Sequence, residues 1–249
     1  MYIVFDLEFN QDFTGVIDKK VNGRAFPFEI IQIGAVKLDL NFNITSSFTR
    51  YIKPEIYKKV SPFIEGLTGI STEMIINEKS FPEVYKEFIE FIGDLDFIFC
   101  VWGMSDIKEL YKSAEYFEQD LKLLPRLFIN IQPYASLYFD MPKSMQLRLQ
   151  NVVEMLKIPI IDEFHNALND AYYTAEVFKK INNETVQPII YNPNYIKQRI
   201  TQPKREIDIE GLINQFEKMF NRVITEEEKS MIILAYKMGK TNQFLKIKE

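Results

Sequence analysis

The opening stretch YIVFDLEFN (residues 2–10) places two acids, Asp6 and Glu8, inside an otherwise apolar run. Alternate residues of a strand project to one face, so these carboxylates share a side, with Cβ atoms about 7 Å apart. Two like charges on a partly buried face repel and lose hydration. Divalent cations offset that cost, and hard oxygen ligands suit Mg²⁺ or Mn²⁺. A third acid, Asp106, follows the apolar run in FIFCVWGMSDIKEL, where ligands gather outside the ends of strands in open α/β sheets. The fourth lies in FHNALNDAYYTAEVF. His165, the only histidine, stands five residues before Asp170. That spacing does not put both on one helix face, so His165 belongs to the loop leading in, over a site that Asp170 approaches from the helix. Imidazole, with an ordinary pKa near neutrality, suits proton transfer there.

Each residue also has a plainer reading. Asp6 and Glu8 fit a strand with a wet polar face. Asp106 fits a helix cap or first-turn aspartate favoured by the dipole. His165 fits a hydrogen-bonded loop residue. The elements around them decide how far the chemistry goes.

Strands are expected at 2–9, 29–40 and 43–54, the last two joined by a hairpin turn at Asn41–Asn43. SFPEVYKEFIEFIG (80–93) reads as an amphipathic helix with a Ser cap, an early Pro and a terminal Gly. DFIFCVW (96–102) is a short apolar run, the mark of a central buried strand. A helix follows from Ser105, then a strand over 126–133 stopped by Pro133, then helices near 146–157 and 166–182. Three meandering strands followed by strands alternating with helices give a mixed α/β sheet with helices on both faces. Pro188, Pro193 and Pro203 punctuate a linker, and helices are expected at 208–220 and 225–238, the second opened by a capping box of Thr225 and Glu228.

Composition bounds the function. The 249 residues are 47% apolar and 26% charged, which suits a globular protein of one or two domains. No apolar run reaches the roughly 18 residues of a membrane span, and the N-terminus lacks a basic region with a cleavage site. The lone Cys100 makes no intramolecular disulfide, and a cytoplasmic protein with no membrane partner is expected. Residues 1–178 carry a net charge of −9 and residues 179–249 a net of +4. The acidic part repels phosphates unless bound cations reverse the local sign.

Taken in order, D-x-E on a first strand, Asp after a central strand and H-x(4)-D on a late helix resemble the DEDDh 3′→5′ exonucleases. EIIQIGAVKLD, SPFIEGLTGIS, SFPEVYKEFIEFI, WGMSD, FINIQPYASLY and HNALNDAYYTAEVF each resemble the corresponding family segment. The pattern is most like the Eri-1-like branch, whose members trim histone messenger and small RNAs and whose bacterial relatives are linked to sporulation control. The resemblance implies an RNase H-like fold with a five-stranded mixed sheet over residues 1–182, a linker at 183–207 and a helical C-terminal extension at 208–249. It implies that Asp6, Glu8, Asp106 and Asp170 hold two divalent cations, Mg²⁺ or Mn²⁺, for in-line displacement at phosphorus, with His165 as general base. It also implies single-stranded RNA or DNA 3′ ends as substrate and a nucleoside 5′-monophosphate as product. Phe9, Asn10, Leu67 and Thr68 would flank the terminal nucleotide. Phe9-Asn10 departs from the small or hydroxyl residue frequent after D-x-E, and Phe9 fits base stacking and core packing equally.

Two other readings stay open. One is a regulatory module that keeps the fold and binds nucleic acid or protein, with the C-terminal helices as the route to a protein partner. The other, within the enzyme class, is an oligoribonuclease restricted to dinucleotides. The net +5 of residues 179–205 fits both a polynucleotide guide and a solvated linker.

Overall fold

The structure, a computed structural model, describes residues 1–11, 20–21, 24–25, 28–93, 96–193 and 208–240. The chain divides into two compact units, Met1–Tyr195 and Ile196–Glu249.

The first unit is built on β1 (Tyr2–Asn10), β4 (Glu29–Leu38), β5 (Ile44–Tyr51), β6 (Ile98–Val101), β7 (Leu127–Asn130) and β8 (Ile189–Ile190), with a two-residue hairpin, β2 (Lys20–Val21) and β3 (Arg24–Ala25), forming a separate ribbon. The sheet order is β5-β4-β1-β6-β7-β8. β1 is antiparallel to β4 and parallel to β6, and β6 is parallel to β7. The mixed α/β sheet is therefore as expected, but it has six strands rather than five. The added strand, β8, lies in the stretch read as linker, where it pairs antiparallel with β7 and Tyr191 donates its N–H to the Arg126 carbonyl at 2.7 Å. Residues 194–207, including the basic run at Lys197–Arg205, lie outside the described residues.

Period-two alternation along β1 sends Ile3, Phe5 and Leu7 to one face and Val4 to the other. The first face packs on α3 (Phe81–Ile92) and α4 (Ser105–Tyr116) through Val84, Phe88, Ile107 and Leu110. The second packs on α5 (Gln132–Tyr138), α6 (Leu149–Met155) and α7 (Ala167–Ile181) through Ala135, Val152 and Phe178. Helices thus cover both faces.

Three short helices depart from the expected elements. SPFIEGLT, for which no element was expected, forms α1 (Pro62–Thr68): Pro62 supplies a preset φ in the first turn, and Gly69 ends the helix in the left-handed region at φ 70°. α2 (Thr72–Ile75) follows, its Ser71 hydroxyl accepting the Met74 N–H. Pro133 does not merely stop a strand; it sits in the first turn of α5, where its missing N–H costs nothing. The β4–β5 turn is the expected hairpin, fastened by the Asp39 carboxylate, which accepts the Asn41 and Asn43 N–H groups at 2.8 Å.

The second unit contains α8 (Ile209–Phe220) and α9 (Glu226–Lys240). Asp208 caps α8, and the Thr225–Glu228 capping box opens α9 with bonds of 2.9 and 3.3 Å. Among the described residues, no helix is long and apolar enough to cross a membrane.

Candidate active site

Asp6 and Glu8 stand two apart on β1 and so share a face, the one where Asp170 of α7 lies, and Asn10 follows two residues on. Their register against β4 is Asp6 to Gly34, Glu8 to Gln32 and Asn10 to Glu29, with Ile31 as the extra residue of a bulge after Glu8. The bulge turns Ile31 into a separate apolar cluster with Val60, Ile64, Ile70 and Ile75, which seats α1 and α2.

Asp170 comes to the same place on α7. Asn166 caps this helix, its side chain accepting the Leu168 N–H at 3.1 Å and the Asn169 N–H at 3.4 Å. One turn later Asp170 faces β1, and its Oδ2 accepts the His165 backbone N–H at 3.2 Å. Carboxylate oxygens of Asp6, Glu8 and Asp170 lie within 4.8 Å of one another. Asp106 enters from the first turn of α4, beyond the end of β6, and is buried. It is not in the group of three, but its charge acts on both Asp6 and Glu8.

Burial is the main influence on all four acids. It holds Asp6 well above the usual carboxylate range, and the charges of Asp106, Asp170 and Glu8 add to the effect. Glu8 is pushed up to about 8 by burial and then by Asp170 and Asp106. Asp106 and Asp170 are raised by burial as well, Asp170 against the opposing pull of the His165 N–H. Four acids that hold protons this strongly need an offsetting positive charge to ionise together.

The residues fit a hard divalent cation. The donor set is all carboxylate oxygen, and Asp170 Oδ1 is buried with no hydrogen-bond partner, an acceptor left for a ligand.

His165 is exposed and sits at φ 65°, a left-handed position that ends the approach loop just before the cap of α7. Its backbone N–H is tied to Asp170. Leu67, on α1, is 43% exposed and available to a ligand. The other three residues expected at the terminal nucleotide also make contacts within the protein. Phe9 packs against the core and lies 5.8 Å from the ring of Phe28. Asn10 is fully buried; its amide donates to the Lys59 carbonyl at 2.9 Å and accepts the Ser61 N–H at 2.9 Å. Thr68 donates its hydroxyl to the Ile64 carbonyl at 2.8 Å and accepts the Ile70 N–H. These bonds tie Asn10 to the segment before α1 and Thr68 to the end of α1.

Sequence reasoning missed Gln32, a buried amide whose Oε1 accepts the Ala167 N–H at 3.1 Å, and Glu29, a buried carboxylate. The available signal was a polar residue inside the apolar run EIIQIGAV.

Comparison with known proteins places this site in context. The model of the exonuclease family RNase_T matches residues 3–178. A 3′-5′ exoribonuclease 1 of Rattus norvegicus is 26% identical over 181 residues, covering 67% of this chain and 52% of that protein. A 3′-5′ exonuclease DinG of Bacillus subtilis is 37% identical over 184 residues, covering 72% of this chain and 17% of that protein. The chain thus spans about half the length of the first relative and a smaller part of the second. Among solved structures, the nuclease domain of 3′hExo, a DEDDh family member bound to rAMP, superposes with a TM-score of 0.64 at 22% identity, over 77% of this chain and 96% of that one.

Proposed function

The chain belongs to the RNase_T exonuclease family, with a 3′→5′ exonuclease domain of DEDDh type and RNase H-like fold, and on that premise we propose that it removes nucleotides one at a time from the 3′ end of single-stranded RNA, with DNA as a lesser substrate. The observation that carries the reading is the convergence of Asp6, Glu8 and Asp170 within 4.8 Å, one of them with an unpartnered buried oxygen.

Members of this family use divalent metal ions. We assign Asp6, Glu8, Asp106 and Asp170 to holding two of them, Mg²⁺ or Mn²⁺. When bound, such ions offset the carboxylate charge, make water a better nucleophile and stabilise the departing 3′ oxygen. His165 takes the proton of the attacking water on its imidazole nitrogen, a role supported by its exposure and by its backbone bond to Asp170. The water oxygen bonds to phosphorus, the bond from phosphorus to the 3′ oxygen breaks with its electron pair going to that oxygen, which takes a proton from solvent, and a nucleoside 5′-monophosphate leaves a strand with a new 3′-hydroxyl. Leu67 packs beside the terminal base. The preference for RNA draws on the exoribonuclease relative.

A test is incubation of 3′-labelled oligonucleotides with Mg²⁺ or Mn²⁺, comparing wild type with Asp6→Asn and His165→Ala. Mononucleotide release by wild type alone is expected. Equal inertness of all three would favour the second reading, a module that acts by association. That reading draws on the exposed apolar side chains of α8 and α9, such as Met219, Phe220 and Met231. Digestion of dinucleotides without longer chains would instead identify an oligoribonuclease.

A further inference from the structure

Strand β4 carries none of the candidate catalytic residues, yet its residues opposite the site residues of β1 each hold another part of the site. Opposite Asp6 is Gly34. A Cβ there would stand 2.1 Å from the Ala167 carbonyl carbon and the Leu168 nitrogen, so only glycine lets the start of α7 lie this close. Opposite Glu8 is Gln32, which is 1% exposed. Its Oε1 accepts the N–H of Ala167, the first residue of α7, at 3.1 Å, and its Nε2 donates to Thr49 Oγ1 at 3.5 Å. Asn166 covers the next two N–H groups of the helix, so Gln32 completes the cap from the sheet side. Opposite Asn10 is Glu29, which is 3% exposed. Its carboxylate accepts the N–H groups of Glu55 and Ile56 at 2.6 Å and of Tyr57 at 2.9 Å. With the two bonds from Asn10 to Lys59 and Ser61, these hold residues 55–61, the segment that leads into α1.

We propose that β4 is a positioning strand whose two buried polar side chains act on different steps of the reaction. Gln32 fixes the start of α7, and through it Asp170 and His165, for the chemical step. Glu29 fixes segment 55–61 and α1, and through them Leu67, for capture of the terminal nucleotide. The proposal rests on the functional reading above. An apolar side chain of equal volume would fill the space under α7 but would leave the helix free to slide along the strand. A displacement of about 1 Å at reacting groups is enough to cost about a hundredfold in rate. An amide also suits position 32 because a carboxylate there would put a further negative charge opposite Glu8.

The test uses the full chain, with steady-state hydrolysis of a single-stranded RNA oligonucleotide and a Mg²⁺ titration followed by thermal unfolding. For Gln32→Met, kcat is expected to fall about thirtyfold with KM within about twofold, and the half-saturating Mg²⁺ for the thermal shift to rise about fivefold. For Glu29→Gln, KM is expected to rise about tenfold, with kcat within about threefold and the Mg²⁺ response unchanged. Two conservative variants decide if either protein fails to fold. Thr49→Val, on the exposed side of β5, releases the other end of the Gln32 amide and should lower kcat about threefold without changing KM. Ser61→Pro removes the N–H held by Asn10 at a residue whose φ of −66° proline accepts, and should raise KM alone. Wild-type constants in the folded variants, or equal loss of kcat and KM in both sets, would overturn the proposal. If the wild type hydrolyses no oligonucleotide, the functional reading fails, and the Mg²⁺ half-saturation of Gln32→Met decides the positioning claim separately.

Discussion

Asp6 meets a concentration of like charge, with Asp106, Asp170 and Glu8 all acting on it after burial has raised it. A carboxylate whose folded pKa lies above its unfolded value favours folding below the unfolded pKa, near 4, and loses that contribution as pH rises through the folded value. With Glu8 at about 8 and Asp6 raised strongly, the metal-free protein should lose thermal stability between pH 5 and pH 8. Saturating Mg²⁺ should restore it most at pH 8, where the ligands are ionised. Differential scanning calorimetry at several pH values with and without Mg²⁺ reads both trends, and a flat metal-free profile would contradict them. Asp6→Asn removes one repelling charge, so at pH 8 it should melt above the metal-free wild type while losing hydrolysis by about 10²-fold or more. His165→Ala should lose about 10²- to 10⁴-fold in kcat and keep its Mg²⁺-dependent melting shift, because the ring is exposed and serves no packing role. The grouping of Asp6, Glu8 and Asp170 was legible in the sequence because a cation site calls for carboxylates, and these three lie within 4.8 Å. Gln32 was not, because a glutamine in an apolar run reads the same whether it caps a helix 135 residues away or faces water.

Elements set the site through their ends. β1 presents acids at its C-terminal end, α4 and α7 present theirs in first turns, and β4 supplies the surface on which α7 rests. Gly34→Ala should therefore destabilise the fold by about 3 kcal/mol, since the added methyl meets helix backbone rather than a movable side chain. Urea titration measures it, and a change below about 0.5 kcal/mol would show that α7 has room to move. The strongly patterned helices 81–92 and 167–181 were legible from apolar spacing and caps. α1 was not: in seven residues its only buried side chain is Ile64, too little to establish a period. β8 escaped because two exposed isoleucines between prolines carry no strand alternation; their pairing comes from the free edge of β7.

At the scale of the whole molecule, the compact unit that holds the sheet runs from Met1 to Tyr195, past the last sequence motif. Tyr191 packs its ring 4.6 Å from Tyr111 and 5.6 Å from Phe128, joining the segment after β8 to α4 and β7. A chain ending at residue 193 should melt cooperatively and retain hydrolysis of short oligonucleotides. One ending at residue 182 loses β8 and Tyr191 and should melt at least about 5 °C lower. Equal melting of the two would place the boundary at 182. With a net −9 over residues 1–178, the proposed cations would also offset the repulsion between an acidic fold and the proposed anionic substrate. The central claim is best tested on a 5′-labelled single-stranded RNA of about twenty nucleotides incubated with Mg²⁺, with the small products identified by mass spectrometry. The account predicts a ladder shortened from the 3′ end, nucleoside 5′-monophosphates as the released species, and no products from Asp170→Asn. Internal cuts, nucleoside 3′-monophosphates, or the same ladder from Asp170→Asn would contradict it.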